Sequence, residues 1–250
     1  GTLTKNQMTV METDIYGGDS ELLDVQNNIA VNSTAEGFRD TDGRLTSIGN
    51  PTEVALLKWL HKTGTEYTSC RESATVVEQI PFTSETKSMQ TVAVLSSTGE
   101  KVRFVKGAPE ILLDMCDEIA GNVSREHILE TLAGYQAKAM RTLAFATQRL
   151  DGASCGNLVF QGVVGIADPV RDDVKEAIHI CKDKAKVRVI IVTGDTPGTA
   201  TEIGRQIGLV AEGEENVTIT GTEFAALTDE EARELLRNPA FKIISHFFSP

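Results

Sequence analysis

Between residues 75 and 166 the hydrophobic spacing switches back and forth between two periods. Thr75-Val-Val-Glu-Gln-Ile-Pro-Phe82, Met89-Gln-Thr-Val-Ala-Val-Leu95 and Val102-Arg-Phe-Val105 alternate or run β-branched, which predicts strands. Ser96-Ser-Thr-Gly99 is turn chemistry between the last two, so they read as a hairpin. Helices are expected over 109–116 and 124–139. Arg141-Thr-Leu-Ala-Phe-Ala-Thr147 and Leu158-Val-Phe-Gln-Gly-Val-Val-Gly-Ile166 return to strand. Strands broken by helices in this way predict an antiparallel sheet with helices packed on it, an α+β domain.

The flanks read differently. Residues 1–10 form a polar, Thr-rich lead-in, and the Gly-, Asp- and Asn-rich stretch up to Gly49 reads as irregular. Asn50-Pro51-Thr52-Glu53 opens a helix: Asn50 suits the N-cap, Pro51 the first helical position, and Glu53 the acid of a capping box. Val54, Leu56, Leu57 and Leu60 give that helix its apolar face. After Ile166 a helix is expected over 174–182, followed by a buried strand, Val187-Arg-Val-Ile-Ile-Val192, ending in Thr193-Gly194-Asp195. A helix over 198–207 and a strand, Val217-Thr-Ile-Thr220, complete the rhythm of a parallel α/β sheet. The sequence thus suggests an α+β domain over 10–165 set between two pieces, 1–9 and 166–250, of one α/β domain. Hinges are expected near 8–10 and 166–171, where Gly165 and Pro169 suit a chain crossing.

Composition narrows the chemistry. A hydrophobic content of 40% supports a real core, and a net charge of −12 makes the chain a poor partner for nucleic acid or an anionic membrane surface. An anionic ligand must then be met by a few locally placed cations and amides. Cys70, Cys116, Cys155 and Cys181 are scattered with no C-x-x-C pair, which argues against zinc and a disulfide framework and fits a reducing compartment. The glycosylation triplets at Asn32, Asn122 and Asn216 carry no meaning in a cytosolic chain. No apolar run approaches the roughly 20 residues of a membrane span, and no signal peptide is present. The start at Gly1 and the stop at Pro250 read as cuts.

Lys106-Gly107-Ala-Pro109-Glu is the most suggestive motif. It follows an apolar strand with a compact cation, a glycine that allows close backbone approach, and a proline suited to starting a helix. The plainer reading is an exposed lysine at a strand–helix junction. Phe82, Lys87 and Met89 are placed on one strand region, where Phe82 offers a flat face to a base and Lys87 a charge; core and solvated edge is the plain alternative. Glu53 is explained by the capping box alone, and Arg141 by a surface charge. Thr193-Gly194-Asp195 sits at the carboxyl end of a strand, where open α/β sheets place ligands, or is a turn capping the next helix.

Taken together, the motifs show a resemblance. Gly1-Thr-Leu-Thr-Lys-Asn-Gln-Met resembles the tail of the P-type ATPase phosphorylation motif. Gly49-Asn-Pro-Thr-Glu-Val-Ala-Leu, Phe82 to Met89, Lys106-Gly-Ala-Pro-Glu, Met140-Arg-Thr-Leu-Ala, Asp168-Pro-Val-Arg171 and Thr193-Gly-Asp follow in the family's order. The likeness is to the type II cation pumps, calcium pumps above all. It implies a nucleotide-binding domain inserted in a partial haloacid-dehalogenase-like phosphorylation domain, on the cytosolic face of a membrane protein. It implies ATP, with Mg2+, held by Glu53, Phe82, Lys87, Lys106, Gly107 and Arg141. Thr193, Gly194 and Asp195 are implied to receive the γ-phosphoryl group after hinge closure, with Asp168 and Arg171 ordering the junction. The phosphorylated aspartate is expected three positions before Gly1 and the main magnesium ligands beyond Pro250, so the chain holds no metal ligands and should not turn over. Transmembrane and actuator domains are the implied partners, and nucleic acid is not one.

Two departures stand out. Ser84 replaces an arginine that many relatives carry, and Phe247 replaces another in Ser245-His-Phe-Phe-Ser-Pro250. The rival readings are a haloacid-dehalogenase-like phosphatase and a nucleotide-binding regulatory module.

Overall fold

The computed structural model describes residues 2–39, 45–150, 156–215 and 217–246. Gly1, Cys155, Asn216, Phe247 and the Phe-Ser-Pro end lie outside the described residues. The chain divides into two compact units, Gln7–Gln136 with Met140–Asp168, and Gly1–Asn6 with Ala137–Ala139 and Pro169–Pro250.

The larger unit is built on a seven-stranded sheet. Its strands are β1 (Thr9–Ile15), then, after intervening elements, β4 (Ala74–Ile80), β5 (Ser88–Leu95), β6 (Lys101–Gly107), β7 (Glu118–Ile119), β8 (Arg141–Arg149) and β9 (Val159–Ala167). The elements between β1 and β4 are helix α1 (Asp19–Val31), a small hairpin of β2 (Glu36–Arg39) and β3 (Leu45–Ile48), and helices α2 (Pro51–Lys62) and α3 (Tyr67–Glu72). Helices α4 (Pro109–Met115) and α5 (Arg125–Ala137) follow β6. The main path runs β1-β9-β8-β6-β5-β4 with antiparallel neighbours, and short β7 joins β9 in parallel.

Strand side chains alternate between faces, and the core divides accordingly. Phe104, Phe145 and Val164 pack with Ile29, Leu57 and Leu60 of α1 and α2. The neighbouring positions Val105, Ala144 and Val163 pack with Leu112, Ile128 and Leu132 of α4 and α5. The expected antiparallel sheet with flanking helices is therefore present, and so is the β5–β6 hairpin, closed by the Gly99 amide on the Leu95 carbonyl at 2.7 Å.

The reading of residues up to Gly49 as irregular is overturned by β1, α1 and the β2–β3 hairpin. Helix α1 is unusual in what it buries. Asn28 and Asn32 are fully enclosed while Leu23 is 54% exposed. The Asn28 amide donates to the Val105 and Ala146 carbonyls at 2.9 and 3.2 Å, and the Asn32 amide to the Met89 carbonyl at 3.1 Å. Thr91 completes the network by donating to Asn32 Oδ1 at 2.8 Å. The helix buries Val25, Ile29 and Ala30 in the core and adds to that apolar face two asparagines docked on backbone acceptors.

The smaller unit carries a three-stranded parallel sheet, order β10-β12-β11. In chain order its elements are α6 (Val174–His179), β10 (Ile191–Val192), α7 (Pro197–Gln206), β11 (Thr218–Thr220), α8 (Gly221–Ala225), α9 (Asp229–Arg237) and β12 (Ile243–Ser245). Its core gathers Val174, Ile178, Ile191, Ala200, Ile207 and Ile243. The strand expected over 187–192 shrinks to Ile191–Val192, with Val187 and Val192 more than half exposed. The reason is the neighbour: β12 is three residues long and, on this side, pairs with Ile191 and Val192 alone of the run. Helix α6 likewise ends at His179 and passes into a π turn, Ile180–Lys184, where the expected helix continued to 182.

Candidate nucleotide cleft

The larger unit holds a cleft of about 680 Å³, lined by charged side chains from four separate parts of the chain. Its floor is an ion pair. Lys106, at the end of β6, donates to Glu53 Oε1 of α2 at 2.5 Å, and the two residues are only 5% and 8% exposed. The other carboxylate oxygen of Glu53 accepts from the Thr34 amide at 3.0 Å, the Thr34 hydroxyl at 2.7 Å and the Ala35 amide at 3.1 Å. Burial pushes the Glu53 carboxyl up, but Lys106 and Thr34 outweigh it and hold it below the ordinary carboxylate range. Burial pulls the Lys106 ammonium down from the usual lysine range, and Glu53 opposes that pull. A charged pair with every carboxylate oxygen satisfied makes a rigid floor.

Above it Phe82 presents a ring that is 59% exposed. Phe82 and Lys87 belong to the loop joining β4 to β5, which corrects the expectation that Phe82, Lys87 and Met89 share one strand region: only Met89 lies on β5, buried. The loop is a tight turn. The Lys87 amide donates to the Thr83 carbonyl at 2.9 Å, the Thr86 amide to the Thr83 hydroxyl at 3.0 Å, and Lys87 has φ +48°. Ser84 of this turn also lines the cleft. Arg141, exposed at the start of β8, closes another side with Thr142 and Leu143. Exposed Lys87 and Arg141 give the rim positive charge within a chain of net charge −12.

Gly107 does not line the cleft, and the backbone that approaches it closely is the protein's own. A Cβ at Gly107 would lie 2.5 Å from the Lys87 carbonyl oxygen. The next amide, Ala108, donates to that same carbonyl at 3.0 Å. The glycine lets β6 end tightly against the turn that carries Phe82 and Lys87.

The capping-box reading of Glu53 is also corrected. Asn50 caps α2 by accepting from the Thr52 amide at 2.9 Å, with Pro51 in the first turn, while the Glu53 carboxylate turns to Thr34 and Ala35. A buried cation and three donors hold it more strongly than one exposed amide at the helix end does. Thr34, whose hydroxyl and amide complete the floor, was not marked by the sequence. Its signal lay in the unrecognised end of α1.

In the smaller unit Thr193, Gly194 and Asp195 form a turn directly after β10. The Thr193 hydroxyl donates to Asp195 Oδ2 at 2.7 Å and accepts from the Asp195 amide at 3.2 Å. Thr196 caps α7, accepting from the Thr199 amide. In the same unit Arg171 pairs with Asp173 at 3.2 Å. In the larger one Asp168 accepts from the Gln7 amide at 3.0 Å.

Residues 23–173, more than half the chain and the whole cleft, match the family described as P-type ATPase, cytoplasmic domain N. The chain belongs to the P-type ATPase family. This P-type ATPase chain is 35% identical over 94% of its length to the Calcium-transporting ATPase PAT1 of Dictyostelium discoideum, covering 23% of that protein. It is 33% identical over 94% of its length to Calcium-transporting ATPase 1 of Lactococcus lactis, covering 29%. Calcium-transporting ATPase 4, plasma membrane-type, of Arabidopsis thaliana is 32% identical over the same share and is covered to 26%. The chain thus spans about a quarter of the length of the curated relatives it matches. Among its described residues no helix is long and apolar enough to cross a membrane, and no group of three His, Cys, Asp or Glu is placed to hold a metal ion.

Proposed function

We propose that this chain is the ATP-binding part of a P-type pump that couples ATP hydrolysis, through an aspartyl-phosphate, to movement of a cation, calcium by its relatives' names. The observation that carries the reading is the convergence of Phe82, Lys87, Lys106, Glu53 and Arg141 on one cleft in the larger unit. Phe82 stacks on the base, a contact worth about 1–3 kcal/mol. Lys87 and Arg141 face the phosphates, Arg141 with a planar fork suited to paired oxygens. Lys106 meets the adenosine end from the floor, with Glu53 holding it in place. Mg2+ arrives on the phosphates of the nucleotide.

Phosphoryl transfer relies on positioning and neutralised charge, which is what such a site supplies. On this proposal residues 10–165 are the nucleotide-binding domain, and 1–9 and 166–250 belong to a haloacid-dehalogenase-like phosphorylation domain. Thr193, Gly194 and Asp195 there take the γ-phosphoryl group. The full pump adds transmembrane and actuator domains, and its cytosolic face carries this chain.

The test is an ATP titration of the chain and of Phe82→Ala and Arg141→Ala. Loss of the stacking ring should weaken binding about tenfold, in line with ~1–3 kcal/mol, and loss of Arg141 by several-fold. Unchanged affinity in both variants rules out this cleft as the nucleotide site.

A further inference from the structure

Arg71, on α3, touches nothing in the cleft, yet it holds the segment that builds the cleft's floor. Its Nε donates to the Ala30 carbonyl at 2.7 Å and its Nη2 to the Ala35 carbonyl at 2.7 Å. One guanidinium therefore ties the end of α1 to the strap that follows. The same group lies 4.9 Å from the centre of the Tyr67 ring, and the Gly37 amide donates to the Tyr67 hydroxyl at 3.1 Å. Helix α3 thus grips residues 30–37 at three points. From the other side Gly49, at φ +136°, leaves no room: a Cβ there would lie 2.8 Å from the Ala35 Cα.

Between these grips stand the Thr34 and Ala35 amides that satisfy Glu53, and Glu53 in turn holds Lys106. We propose that Arg71 is a positioning residue for the nucleotide cleft, setting the Thr34 strap so that Glu53 fixes the Lys106 ammonium. The inference rests on the nucleotide reading above and adds a residue outside the wall of the site. Two carbonyls reached by two nitrogens of one planar fork call for arginine; a lysine reaches one of them at a time. The positive charge of Arg71 is also felt at Lys106, where it adds to the effect of burial and works against Glu53.

The experiment uses the full chain, labelled with 15N, with ATP as the probe. ATP affinity is measured by calorimetry for the chain, Arg71→Met and Arg71→Lys, and amide spectra are recorded alongside. The expected result is a loss of tenfold or more in Arg71→Met and a smaller loss in Arg71→Lys. The Thr34 and Ala35 amide resonances should move as their bonds to the Glu53 carboxylate lengthen, while Leu132 and Val163, in the core shared with α4 and α5, stay in place. Affinity within twofold of the parent in both variants overturns the proposal, and so does a loss of affinity with unmoved Thr34 and Ala35 amides. If Arg71→Met fails to give a native spectrum, Arg71→Lys is judged by the same two criteria. A parent chain that binds no ATP defeats the nucleotide reading instead, and the amide shifts alone then decide whether Arg71 sets the strap.

Discussion

At the scale of single residues the cleft depends on two kinds of intolerance, one steric and one electrostatic. Gly107 is the steric case. Its missing Cβ would meet backbone, the Lys87 carbonyl and the Ser88 Cα, so no side chain can swing aside to relieve the clash. Gly107→Ala should cost about 1–3 kcal/mol, as overpacking does, read as a lower urea midpoint. It should also weaken ATP binding, because the displaced turn carries Phe82 and Lys87. Glu53 is the electrostatic case. Its folded pKa is depressed, so the stability it contributes is present above its unfolded value and is lost as pH falls through the folded one. Protonating it leaves the Lys106 ammonium buried and unpaired. Urea midpoints at pH 7 and just below pH 4 should show the parent losing stability on acidification, and Glu53→Gln losing less. At pH 7 Glu53→Gln itself should cost on the order of 3–5 kcal/mol, the usual penalty for breaking one side of a buried pair. A variant as stable as the parent at pH 7 contradicts the floor described above.

At the scale of elements, helix α1 is the piece that adds buried polar contacts to an apolar face. Asn32→Ala strips a partner from Asn28 Oδ1 and from the Thr91 hydroxyl, both enclosed. The expected cost is about 1–3 kcal/mol per orphaned group, measured by urea unfolding; a neutral substitution contradicts the docking role of the network. The same network explains what the sequence hid. Strands β5, β6, β8 and β9 and helices α2, α4 and α5 are legible because their buried positions are apolar and correctly spaced, and β4, whose residues from Thr75 on are exposed, because it is β-branched. Helix α1 mixes buried Asn28 and Asp24 in with its apolar face of Val25, Ile29 and Ala30 and exposes Leu23, which blurs the stripe that marks a helix. Strand β10 failed in the opposite direction. Its apolar run, Val187 to Val192, promised a long buried strand, but the length of a strand is set by its neighbour. Of the cleft residues, those inside recognisable motifs were legible. Thr34 and Arg71 were not, because both act through the unrecognised end of α1.

At the scale of the whole molecule, every residue assigned to the cleft lies between Thr34 and Leu143, inside the larger unit. A fragment of residues 7–168 should therefore fold cooperatively and bind ATP within a few-fold of the full chain, by the same calorimetry. Loss of binding in a folded fragment would show that the site needs residues outside that unit. The first and last strands of the unit also matter here. β1 and β9 are partners, with Thr9 opposite Ala167 and Val10 opposite Ile166, and the Gln7 amide reaches Asp168. The two ends of the unit are thus side by side. A piece of that shape can be spliced into a surface loop of an unrelated carrier, or rejoined end to end and reopened elsewhere, without stretching either polypeptide. Its architecture makes it portable, a cassette that a genome or an engineer can move as one block.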